Sequence, residues 1–216
     1  LDFNRVVFFG DSWVYGAELD SKWSFPCLLG SNNYGVNGTS IPGLLRRFNE
    51  VRKDFSIAIF CLTDPSRQMF YKDYNNYIDY SEGTAQEISE LRILQMTGND
   101  YNDDIVASQT LYILYKWCQD LGIQCYFVNL FAGQLAESFL YDLIPDNAWL
   151  ISKRSCLVKE VFDTQNYFAE YPHCGDFSCW LQDNNSDVQN FIRPCEMHPN
   201  RIGHRAIADF IMNKFL

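Results

Sequence analysis

Three short runs in which almost every residue is apolar constrain this chain more than any other feature: Arg5 to Phe9, Ser56 to Leu62 (SIAIFCL) and Gln124 to Leu130 (QCYFVNL). A strand with one wet face alternates apolar and polar residues, so mostly apolar runs of this length read as strands buried on both faces. Between the first two, Ile41, Leu44, Leu45, Phe48 and Val51 recur at helical spacing, with Ser40 as the cap and Pro42 tolerated in the first turn. A second helix is expected from about Asp104 to Leu121, with Ile105, Leu111, Leu114, Cys118 and Leu121 near one face and Gly122 as its stop. A third begins near Asn200 and turns Ile202, Ala206, Ile207, Phe210, Ile211 and Phe215 inward. Strand, helix, strand, helix in that order predicts a parallel sheet with helices on both faces. Pro145-Asp146-Asn147 reads as a turn before Ala148 to Ile151, a candidate further strand.

Such a sheet needs a large apolar interior, and 47% hydrophobic residues in a chain of 216 supply one within a single domain spanning residues 1–216. The formal charge of -10 and the lack of a basic patch exclude nucleic acid as an expected partner. No window reaches the roughly 18 apolar residues of a membrane helix, so membrane insertion is not expected either. The chain opens at Leu1 rather than at a methionine, which is compatible with an upstream segment and leaves virion-associated and cytoplasmic locations both open. Oligomeric state is not readable. Of the eight cysteines, Cys61, Cys118 and Cys125 sit in apolar patterns that suit buried thiols, whereas Cys174, Cys179 and Cys195 fall in a polar region where a local bridge is compatible with an oxidising compartment.

The first apolar run ends in Phe9-Gly10-Asp11-Ser12-Trp13. Ligands of parallel α/β sheets collect at the carboxyl ends of strands, where loops meet helix amino termini, so Ser12 reads either as a nucleophile or as a serine that caps the next helix. Asp11 reads as a residue whose carboxylate holds loop N–H groups beneath Ser12. Near the other end, Cys195-Glu196-Met197-His198-Pro199-Asn200 places His198 in the loop before the last helix, stiffened by Pro199, where it can serve as a general base. His204, inside that helix, is expected to pack or cap.

Taken in order, Gly10-Asp11-Ser12, Gly38 within Asn33-Tyr34-Gly35-Val36-Asn37-Gly38-Thr39-Ser40, Thr63-Asp64 and His198-Pro199-Asn200 resemble the SGNH hydrolases, the GDSL esterase and lipase family. The pattern spans nearly the whole chain, with no matching catalytic motif between Asp64 and His198. The resemblance implies a three-layer α/β/α sandwich with a parallel sheet of about five strands, flavodoxin-like in order. It implies Ser12 as nucleophile and His198 as the base that takes and returns its proton, with Ser12, Gly38 and Thr63 forming the oxyanion hole. No metal or organic cofactor is implied, and the expected partner is a small-molecule or glycan ester.

Two departures stand out. Cys61-Leu62-Thr63-Asp64 replaces the family's Gly-x-Asn-Asp, so a threonine hydroxyl stands where an asparagine amide donates; Thr63-Asp64-Pro65-Ser66-Arg67 resembles a variant of this block in bacteriophage-encoded relatives. The position of the family's aspartate, three before the histidine, holds Cys195, which leaves Glu196 as the nearest carboxylate or a serine and histidine dyad as the alternative. His173, Cys174, Cys179, Cys195 and His198 have metal-ligand chemistry, but a single Cys pair without a second is poor evidence for zinc. Phe70, Tyr71, Tyr74, Tyr77 and Tyr80 suit a helix packing an aromatic stripe, or a glycan-binding lid. The sequence thus predicts a serine esterase, with deacetylation of a carbohydrate as the narrower reading. The rival is a catalytically weak or inactive binding module on the same fold, as in a phage particle or cell-surface complex.

Overall fold

The computed structural model describes residues 2–17, 19–51, 53–63, 70–71, 77–78, 100–130, 142–162 and 198–215. The three apolar runs form β1 (Val6–Gly10), β3 (Ile57–Leu62) and β6 (Gln124–Asn129), and a fourth strand, β2 (Asn32–Gly35), lies at the edge. All pair in parallel in the order β2-β1-β3-β6. Beyond β6, Trp149 makes a lone parallel bridge to Phe127, with the Leu150 N–H donating to the Phe127 carbonyl at 2.9 Å. This bridge is all that forms of the strand expected at Ala148 to Ile151, so among the described residues the sheet has four strands rather than five. The reason is local: a 3-10 turn, Asp146–Ala148, occupies the residues just before the bridge. With Trp149 as the fifth position, the order is the flavodoxin-like one.

Among the described residues the α-helices are α1 (Ser12–Tyr15), α2 (Phe25–Leu28), α3 (Ile41–Glu50), α4 (Asp100–Asp120), α5 (Leu157–Phe162) and α6 (Arg201–Phe215). Alternate strand residues divide between the two faces, as the two-residue repeat of a strand requires. Val6, Phe8, Ile57, Ile59 and Val128 pack with Phe25, Leu157, Ile207 and Ile211 on one side. Val7, Phe9, Ala58, Phe60 and Phe127 pack with Ile41, Leu44, Phe48, Leu111 and Leu114 on the other. The result is a three-layer α/β/α sandwich.

On the second face a row of rings crosses the sheet one strand at a time. Tyr34 stacks on Phe9 at 5.5 Å, Phe9 on Phe60 at 5.0 Å and Phe60 on Phe127 at 5.6 Å, and Trp149 lies 5.5 Å from Phe127. Each pair is also a register pair of the sheet.

Helix boundaries follow sequence chemistry. Ser40 Oγ accepts the Gly43 N–H at 3.1 Å and opens α3. At the end of α4, Gly122 adopts φ +68°, its N–H donates to Gln119 O and the Ile123 N–H donates to Cys118 O, which satisfies two of the orphan carbonyls. Leu121, expected on the buried face, lies past the end of α4 and is 45% exposed. Ile202, also expected inward, is 60% exposed because the buried stripe of α6 runs through Gly203, His204, Ile207, Ala208 and Ile211, one residue out of phase with it.

The aromatic segment differs from the helix expected there. Phe70–Tyr71 and Tyr77–Ile78 are short antiparallel strands, β4 and β5, paired Phe70 with Ile78 and Tyr71 with Tyr77. Aromatic residues fit a pleated ribbon as well as a helical stripe, and here the ribbon prevails. Tyr74 and Tyr80 lie outside the described residues. Cys27, Cys61, Cys118, Cys125 and Cys156 are free thiols, the last four buried; Cys174, Cys179 and Cys195 lie outside the described residues. Among the described residues no helix is long and apolar enough to cross a membrane.

Candidate active site

β1 ends at Gly10, a position where nothing larger fits. A Cβ there would lie 2.2 Å from Val14 Cγ2 and 3.0 Å from Cys61 Cβ, so α1 sits directly over the strand end. Asp11 caps α1 through Oδ1, which accepts the Trp13 N–H at 3.0 Å. Ser12 is therefore the first residue of the helix, and Gly16, at φ +80°, closes its single turn. The two readings of Ser12 separate here, because Asp11 holds the capping position and leaves the serine hydroxyl for other partners.

The neighbouring edge strand holds α1 from the side. A Cβ on Gly35 would lie 2.4 Å from the Tyr15 backbone nitrogen, so that contact is backbone against backbone. Asn33 Nδ2 donates to the Val14 carbonyl at 2.7 Å and to Ser24 Oγ at 3.0 Å, while its Oδ1 accepts the Gly35 N–H at 2.8 Å. Sequence reasoning counted Asn33 only as part of a glycine-bearing block. Its signal was an amide on an edge strand two residues before the glycine that meets α1. Gly38 follows at φ +75°, in a turn where the Thr39 N–H donates to Val36 O at 3.2 Å.

His198 comes from the opposite end of the chain. Its Nε2 lies 2.9 Å from Ser12 Oγ across 186 residues of sequence. It is held there by the start of α6, where Asn200 Oδ1 accepts the Ile202 N–H at 2.9 Å and the Gly203 N–H at 3.0 Å. Ser12 itself is 5% exposed, and His198 is half-buried. Glu196 and Asp64 lie outside the described residues.

Thr63 follows β3, and its hydroxyl donates to Asp11 Oδ2 at 2.9 Å. Both residues are buried. The Cys61 thiol beneath Gly10 is pushed well up from its ordinary range, first by burial and then by the charge of Asp11, so it stays protonated. His204 is buried against Phe25, whose N–H it accepts on Nδ1 at 3.3 Å. Burial, with the charge of His198 as the smaller cause, lowers its pKa to about 4. It packs, as expected, and takes no part in the Ser12 contact. Among the described residues, no group of three His, Cys, Asp or Glu side chains is placed to hold a metal ion.

Ser12, Gly38, Thr63 and His198 thus come from four loops at the carboxyl edge of the sheet. Thr63 and Asp11 follow adjacent strands, β3 and β1, where the order of a flavodoxin-like sheet reverses, the place at which ligands of such sheets bind. The arrangement puts His198 Nε2 within proton-transfer distance of Ser12 Oγ.

No protein-family model and no curated protein matches the chain. Solved structures do match. TesA aligns with a TM-score of 0.54 at 10% identity, over 97% of this chain and 97% of its own. A G-D-S-L family protein from Desulfitobacterium hafniense DCB-2 aligns with a TM-score of 0.52 at 14% identity, over 97% and 98%. A two-domain esterase (CEX) active on acetylated mannans aligns with a TM-score of 0.51 at 14% identity, covering 97% of this chain and 47% of that one. The chain has the fold of the SGNH, or GDSL, hydrolases.

Proposed function

We propose that the chain is a serine esterase. The observation that carries this reading is the 2.9 Å approach of His198 Nε2 to Ser12 Oγ at the carboxyl edge of a parallel sheet. Ser12 Oγ attacks the ester carbonyl as its proton passes to His198. The tetrahedral oxyanion is held by the N–H groups of Ser12 and Gly38; the third place in the family pattern falls at Thr63, whose hydroxyl donates to Asp11. Collapse breaks the ester C–O bond, and His198 returns the proton to the departing alcohol. Water, deprotonated by His198, then cleaves the acyl-serine. Glu196 is the carboxylate we assign to orient the imidazole, with a dyad as the alternative.

The narrower reading is removal of an acetyl group from a carbohydrate. It is supported by the nearly buried Ser12, which suits a small acyl group, and by a fold neighbour described as active on acetylated mannans. One observation favours the rival binding module: the Thr63 proton is already engaged by Asp11, which leaves the oxyanion one donor short of the family pattern.

The deciding measurement is p-nitrophenyl acetate hydrolysis by the native protein and Ser12→Ala, with fluorophosphonate labelling read by intact mass. The esterase reading expects turnover and one added label in the native protein and neither in the variant. Equal inertness of two folded proteins would overturn it in favour of the binding module.

A further inference from the structure

We infer that Thr63 is a positioning residue, acting on Ser12 through Asp11 rather than on the oxyanion. This rests on the esterase reading for its kinetic consequence, but the geometry stands apart from it. A carboxylate accepts hydrogen bonds and a hydroxyl has one proton, so at 2.9 Å from Asp11 Oδ2 the Thr63 proton is committed to Asp11. The other carboxylate oxygen accepts the Trp13 N–H at 3.0 Å. Fixing both oxygens fixes the plane of the carboxylate, and the residue enclosed in the chain between Asp11 and its partner Trp13, Ser12, is the one whose hydroxyl meets His198. The Thr63–Asp11 bond also ties together the residues that follow the paired strands β3 and β1.

Swinging the hydroxyl to an oxyanion would break a charge-assisted bond to a carboxylate that is 1% exposed and form another of the same kind. Only interactions stronger in the transition state than in the ground state raise the rate, and this exchange gains little. A threonine here therefore supports the nucleophile from below instead of replacing the family's asparagine amide from above.

The test compares native protein with Thr63→Val, Thr63→Ser, Asp11→Ala and the Thr63→Val/Asp11→Ala double variant. We read kcat and KM for p-nitrophenyl acetate alongside hydrogen exchange at the Trp13 amide. Thr63→Val should lower kcat about tenfold with KM nearly unchanged, and Thr63→Ser should restore it. In the Asp11→Ala background the valine should change kcat less than about twofold, since a residue acting through Asp11 has nothing left to act on. Trp13 exchange should quicken in Thr63→Val. Multiplying losses in the double variant would overturn the proposal and return Thr63 to the oxyanion, and so would unchanged kcat and Trp13 exchange in Thr63→Val. If Asp11→Ala does not fold, the Trp13 exchange of Thr63→Val against Thr63→Ser decides alone. If the native protein hydrolyses and labels nothing, the esterase reading fails, while Trp13 exchange still passes or fails the Asp11–Thr63 link.

Discussion

The His204 ring shows what one buried side chain costs when its protonation changes. Nδ1 accepts the Phe25 N–H, so the neutral ring carries its proton on Nε2, and that atom has no hydrogen-bond partner among the described residues. Adding a second proton would break the Phe25 bond and place a charge under the ring stack with Phe25, whose centroid is 5.9 Å away. The folded ring titrates at about 4, whereas a free histidine titrates near 6.5. Above that higher value neither state is protonated and the full stability is present. As pH falls from there towards 4, the unfolded chain binds a proton that the folded one refuses, and roughly 3 kcal/mol drains away. Urea unfolding at pH 7, 5.5 and 4 should show this loss, and His204→Gln, which can still accept the Phe25 N–H, should lack this share of it.

At the scale of elements, α6 both covers the sheet and delivers His198. Asn200 caps it with two N–H bonds two residues after the histidine, so Asn200→Ala should cost about 1 kcal/mol of stability. The loss of fluorophosphonate labelling should exceed what that figure explains, because the loop holding His198 against Ser12 loosens with the cap; melting and labelling on the same sample check both. The elements most legible in the sequence were those that bury both faces or end on a capping residue: β1, β3, β6, and α3 behind Ser40. β2 was not legible, because an edge strand of Asn32, Asn33, Tyr34 and Gly35 has no apolar run and exists through its pairing with β1. The ribbon at Phe70 and Tyr77 was misread for a related reason, since aromatic spacing alone does not separate strand from helix. In the site, Gly10, Ser12, Gly38, Thr63 and His198 were named from a family pattern. The Asn33 clamp and the partner of the Thr63 hydroxyl were not named, because the direction of a hydroxyl or amide is set by neighbours that only folding brings close.

Across the parallel sheet, the row of rings from Tyr34 to Trp149 ties each strand to its neighbour, one residue short of the Gly10 and Cys61 contact beneath the site. Phe60 is its centre, stacked on both Phe9 and Phe127 and in edge contact with Phe48. Phe60→Leu keeps the apolar volume but loses the stacking, each pair being worth about 1 kcal/mol, so denaturant unfolding should show a loss of about 2 kcal/mol. Labelling of Ser12 well below the melting temperature should hold within about twofold, since the sheet order is unchanged. The 186-residue span between Ser12 and His198 has a consequence in time as well as in space. A ribosome adding roughly 5–20 residues per second needs on the order of 10–40 s to travel from one to the other. For that interval every nascent copy carries Ser12 without the histidine that meets its hydroxyl, and the 2.9 Å contact forms only after His198 has been made.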